Sequence, residues 1–177
     1  PYLGLAVPQR MEAPVFAPMS LERPAIAFFA NPAGKHNIKW IRPLAQHYPA
    51  ILICSENITP DTWLISSEEL PIYPILPALY PYKSAGLRQR TVKKLRELFA
   101  EHDIAIAHSM YAYPHAYYPY LMQWPRHLIT TRGSDVLVDY RQTFFNPQTL
   151  RQRLAYRTLR KTFEKAIRSA NGITSTS

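Results

Sequence analysis

The chain has 177 residues, 47% of them hydrophobic, which is enough for one domain with its own core. Its formal charge of +9 favours acidic partners such as nucleic acid, anionic lipid or phosphorylated ligands, without choosing among them. No apolar run approaches the roughly 20 residues of a membrane span, no basic-then-apolar leader opens the chain, and a single cysteine, Cys54, excludes an internal disulfide.

Residues 1–23, rich in proline and without periodicity, read as an extended arm lying on the domain. AIAFFA, Ala25 to Ala30, is a short continuous apolar run, the pattern of a strand buried on both faces. NPAG breaks it. KHNIKWIRPLAQHY follows with Ile38, Ile41, Leu44 and Ala45 at helical spacing, and Pro43 is expected to kink or end that helix. Trp40 is expected in the core. AILICS is the next buried strand, with Cys54 as a small apolar residue in it. TWLISS and PIYPIL are two further extended candidates, the second placed at an edge by Pro74.

Ser84 to Asp103 is the clearest helix, with Leu87, Thr91, Leu95, Leu98 and Phe99 as its stripe and Arg88, Arg90, Lys93, Lys94 and Arg96 over the rest. IAIAHS and HLITT are strands. The ring-rich segment between them, HSMYAYPHAYYPYLMQWP, predicts a short helix over Tyr117 to Gln123. A long helix is predicted from Gln148 to Ala170, stopped by Asn171-Gly172, before a last strand, ITSTS. His47, His102 and His127 read as surface or strand-flank residues, and no His/Cys/Asp/Glu grouping has metal-ligand spacing.

Buried strands alternating with helices imply an α/β fold: a Rossmann-like parallel sheet with helices on both faces. Ligands of such sheets bind beyond the carboxyl ends of the strands. NPAGKHN, HSMYAYPH and RGSD would then share one rim.

Three segments carry a family resemblance. They are FFANPAGKHNIKWIRPLAQHYPAILIC with His36 and Trp40 after its loop, EHDIAIAHSMYAYPH, and LITTRGSDVL. Together with the terminal ANGITSTS they resemble the N-terminal half of a retaining GT-B glycosyltransferase of the family 4, group 1 type. Counted from Asp103, His108 keeps the second of the family's paired histidines and Ile106 replaces the first. Counted from the Tyr111–Pro114 loop, Met110 stands in place of the second. Insertions fall in loops more readily than in strands, which favours the first register. NPAG stands where the family has a paired-glycine turn.

The resemblance implies residues 24–177 as the acceptor-side domain of an enzyme in polysaccharide or glycolipid synthesis. It would move a sugar from a nucleotide-sugar to an acceptor hydroxyl with retention. The nucleotide-sugar-binding C-terminal domain is absent from this chain, so the chain alone is expected to be inactive. No cofactor or metal is expected. The acceptor would be a saccharide or a lipid-linked one. The location is expected to be cytoplasmic, with a peripheral place on the inner membrane face as the further reading, where the two basic helices meet anionic headgroups.

The resemblance makes His108, Arg132 and Asp135 the catalytic candidates. His108 would orient and stabilise at the reacting centre, or else cap strand backbone. Arg132 would clamp phosphate with its planar fork, and Asp135 would cap the turn that Gly133 and Ser134 build; the plainer reading is a tight turn with a local Arg–Asp pair. Asn31, Gly34, Lys35 and His36 lie where the first strand meets its helix, and an anion can sit at such a helix end. Tyr113 and His115 would line the acceptor groove, or else pack a loop against the domain. Two other classes remain open: a basic nucleic-acid-binding module, which the absence of alternating aromatics and of a recognition motif disfavours, and an α/β domain that docks a partner.

Overall fold

The computed structural model describes residues 23–77, 85–112, 114–132 and 149–176. The arm over residues 1–22 and the sequence candidates Tyr113, Gly133, Ser134 and Asp135 lie outside the described residues.

Six strands form one parallel sheet in the order β3-β2-β1-β4-β5-β6. They are β1 (Ala25–Phe29), β2 (Ala50–Ser55), β3 (Ile72–Leu76), β4 (Ile104–Ser109), β5 (His127–Arg132) and β6 (Gly172–Thr176). The helices are α1 (Lys35–His47), α2 (Ala85–Glu101), α3 (Tyr117–Leu121) and α4 (Leu150–Ser169).

Every residue of β1 is buried because the sheet is covered on both sides. Alternate side chains divide between two cores. Ile26, Phe28 and Ala30 join Leu52 and Cys54 beneath Ile38 and Ile41 of α1. Ala27, Phe29, Ile51 and Ile53 face the other way, against Leu95, Leu98 and Phe99 of α2, Tyr117 and Tyr118 of α3, and Leu159 of α4. Ile129 with Phe163 and Ala166 extends that second core under α4. A sheet sandwiched by α1 on one face and α2, α3 and α4 on the other is the α/β, Rossmann-like architecture that the sequence predicts.

Local chemistry sets the ends. Pro43 lies inside α1 and is exposed, so the helix runs on past it to His47, contrary to the expected break. The Tyr48 amide closes that end by donating to the Leu44 carbonyl. Pro74 is exposed on the edge strand β3, where a missing N–H costs least. Cys54 is buried, and burial pushes its thiol up to about 11, which leaves it a filler rather than a nucleophile.

Three expectations are corrected. TWLISS is not a strand: a 3-10 turn at Pro60–Thr62 leads into a loop whose Ile65 and Leu70 drop into the α1-side core. Trp40 is 50% exposed, because it lies on a flank of α1 rather than on the Ile38–Ile41 stripe. His127 is only 2% exposed: as the first residue of a strand covered on both faces it points inward, where its Nε2 meets the Ser109 hydroxyl at 2.9 Å.

Candidate active site

In the order β3-β2-β1-β4-β5-β6 the chain reverses its direction of growth between β1 and β4, and a cleft opens at their carboxyl ends. The two strands stay joined to the last residue, where the Met110 amide donates to the Phe29 carbonyl at 3.0 Å. Beyond that the chains part, toward α1 on one side and α3 on the other.

The β1–α1 connection is built around Asn31. Its Oδ1 accepts from the Ala33 amide at 2.8 Å, and its carbonyl accepts from the Gly34 amide at 3.1 Å. The same carbonyl accepts the Asn37 Nδ2 at 3.1 Å. Asn37 is wholly buried in the first turn of α1. Gly34 has to be small: a Cβ there would stand 2.8 Å from the Asn37 Nδ2 and 3.2 Å from the Asn31 carbonyl.

Arg132, the last residue of β5, reaches into this cleft. Its Nη2 donates to the Asn37 Oδ1 at 3.1 Å and its Nη1 to the Tyr111 hydroxyl at 3.0 Å. Its Cζ also lies 4.9 Å from the centroid of the Tyr111 ring, a cation–π distance. Both hydrogen-bond partners are uncharged, so neither cancels the guanidinium's charge. His115 packs edge-on against Tyr111 at 5.9 Å. Its Nδ1 is shut from solvent with no hydrogen-bond partner, and burial pulls its pKa down to about 4.

His108 stands one residue from the end of β4, on the α1 face of the sheet beside Phe28 at 5.6 Å. Its Nε2 is bonded to the Thr130 hydroxyl at 2.8 Å, and Thr130 in turn to the Thr174 hydroxyl at 2.8 Å. Burial lowers its pKa to about 4. A neutral imidazole committed to a threonine is a weak proton acceptor near neutral pH and a good fixed dipole.

The structure thus brings together Asn31, Gly34, His115 and Arg132 at one cleft, with His108 below them in the sheet. Lys35 and His36 are exposed on the first turn of α1 and make no hydrogen bond among the described residues. Two site residues escaped the sequence reading. Asn37 falls on the same helical face as Ile41, and a polar side chain on a core-facing stripe needs a partner; that was the available signal. Tyr111 had none, being one tyrosine among many in its segment. Of those, Tyr117 and Tyr118 are buried, and Trp124 stacks edge-on against Phe99 at 4.7 Å, so these rings pack the core rather than form an outer stacking surface.

Among the described residues no helix is long and apolar enough to cross a membrane. A protein-family model described as glycosyl transferase 4-like matches residues 25–177. No curated protein matches the chain.

Proposed function

The chain belongs to the glycosyl transferase 4-like family, and from that premise we propose that it is the N-terminal, acceptor-side half of a retaining GT-B enzyme. The reaction is transfer of a sugar from a nucleotide-sugar to an acceptor hydroxyl in polysaccharide or glycolipid synthesis. The observation that carries this reading is Arg132, a cation held by Asn37 and Tyr111 at the β1/β4 crevice.

In the proposed mechanism the guanidinium meets the donor's phosphate, where negative charge grows as the glycosidic bond breaks. The leaving phosphate takes the proton of the acceptor hydroxyl, so no strong protein base is needed. His108, held neutral, orients and stabilises rather than deprotonates. Asp135, Gly133 and Ser134 continue the turn beyond Arg132, and Tyr113 and His115 border the acceptor groove. A second domain supplies most of the nucleotide site, and no metal takes part.

The exposed cations Arg90, Lys93, Lys94 and Arg96 on α2, and Arg157, Lys161, Lys165 and Arg168 on α4, support a contact with anionic headgroups that would bring the enzyme to a lipid-linked acceptor. An α2 groove with Val92 and Leu121 in its lining and Arg96 beside them offers an apolar surface next to charge.

The test is release of nucleoside diphosphate from a panel of nucleotide-sugars by the full-length protein. Arg132→Met is expected to lower kcat/KM by about a hundredfold without loss of folding. Turnover unaffected by that change, or no release from any donor, refutes the reading. Co-sedimentation with phosphatidylglycerol vesicles but not with phosphatidylcholine vesicles checks the membrane contact.

A further inference from the structure

Asn37 has more determinacy than a buried asparagine needs for its own satisfaction. Its amide can be placed only one way round. The atom facing Arg132 must be the oxygen, because a guanidinium only donates. The atom facing the Asn31 carbonyl must be the nitrogen, because a carbonyl only accepts. A flip would set two donors together and two acceptors together. The turn beneath is shaped to the same end: Asn31 closes it with its own side chain, and Gly34 withholds the one carbon that would strike the Asn37 Nδ2.

The partners lie on three different pieces of chain. Asn37 belongs to the first turn of α1, Tyr111 follows β4, and Arg132 ends β5. An Arg side chain has several freely rotating bonds and loses about 2 kcal/mol of rotamer freedom when fixed. Tyr111 offers a ring beneath Cζ and one acceptor at Nη1, which hold one edge of the guanidinium plane. Asn37 holds the other terminal nitrogen. With only the Tyr111 contacts the plane can still pivot about the hydroxyl.

We infer that Asn37 is a positioning residue which sets the direction of the Arg132 guanidinium, so that the first turn of α1 aims the cation at the ligand's anionic group. The inference rests on the reading of this cleft as the phosphate-facing part of a transferase site. It makes Asn37 act through Arg132 and not by contact with the ligand.

Two measurements on the full-length protein separate the inference from the reading beneath it. The first is a double-mutant cycle in kcat/KM over Asn37→Leu and Arg132→Met. Asn37→Leu alone is expected to lower kcat/KM by about ten- to a hundredfold, the scale of a misdirected group. In the Arg132→Met background it is expected to add less than about twofold, because its target is gone. Two effects that multiply in full overturn the inference and leave the function standing.

The second measurement needs no turnover: the nitrogen-15 signals of arginine side chains, with Arg132 assigned by its loss in Arg132→Met. A slowly exchanging Arg132 signal is expected in the wild type and in Asn37→Asp, which keeps an acceptor for Nη2. It is expected to be lost in Asn37→Leu. An Arg132 signal unchanged in Asn37→Leu overturns the inference whatever the activity. The expected signals in a protein without transferase activity overturn the function and leave the positioning. Should Asn37→Leu fail to fold, loss of the signal in folded Asn37→Asp is the refuting result.

Discussion

Acid should unfold this domain through its histidines. His108, His115 and His127 each have a pKa pulled down by burial from 6.5 to about 4, and His127 is lowered further by the nearby His108. The folded state therefore prefers the neutral rings, and the unfolded state binds more protons between the two values. The stability these groups contribute is fully present above about pH 6.5, declines as the pH falls below it, and levels off below about pH 4. At about pH 5 each unfolded histidine is almost wholly protonated and each folded one is mostly not, a difference of about 2 kcal/mol per ring. Three such rings approach the 5–15 kcal/mol total of an ordinary domain. The exposed Arg42–Glu69 pair does not confuse the window, since the arginine holds that carboxylate below its usual value of 4.5 and its loss comes at lower pH. The assay is urea unfolding followed by tryptophan fluorescence at a series of pH values. His127→Asn, which keeps an amide for Ser109, should flatten the slope of stability against pH by about a third, whatever its effect at neutral pH. A wild type equally stable at about pH 7 and pH 5, or a His127→Asn slope equal to the wild type's, refutes the reasoning.

Two more outcomes are expected. Thr130→Val leaves the His108 Nε2 and the Thr174 hydroxyl without the atom that joins them and should cost about 1–3 kcal/mol in urea unfolding. Gly34→Ala places a carbon against the Asn37 amide and should cost a similar 1–3 kcal/mol or so, with activity falling further than the stability loss accounts for; activity equal to the wild type's would show that the amide can give way.

The fold was legible because parallel strands covered on both faces leave an unmistakable trace, continuous apolar runs such as AIAFF and AILICS, between helices with clear stripes. The long helix was read to within two residues at each end, since Leu159, Phe163 and Ala166 recur at helical spacing. The errors share a cause. TWLISS and Trp40 were judged by apolar character, yet a loop can insert Ile65 into a core and a helix flank can leave a tryptophan outside. His127 was judged by polarity, yet a buried partner, Ser109, made burial tolerable. The rim was legible from topology, which assigned Asn31, Gly34 and Arg132 to one end of the sheet. What holds Arg132 was not, because Asn37 and Tyr111 stand far from it in sequence and meet it only through the sheet's order.

The order of the strands also bears on how the chain comes together in time. β1 meets β2 across one short helix, with Ile26 beside Ala50, and β3 follows at once. β1 meets β4 only after a wait, since Phe29 lies beside Ser109, about eighty residues later. Contacts so distant in sequence are slow to form. On a ribosome, the half-sheet β1–β3 can close first, leaving one edge of β1 bare, its backbone donors and acceptors open to any passing strand. The seam that closes last is the seam at which the cleft opens, so the residues that serve the ligand are assembled only as the nascent chain sheds its most adhesive edge.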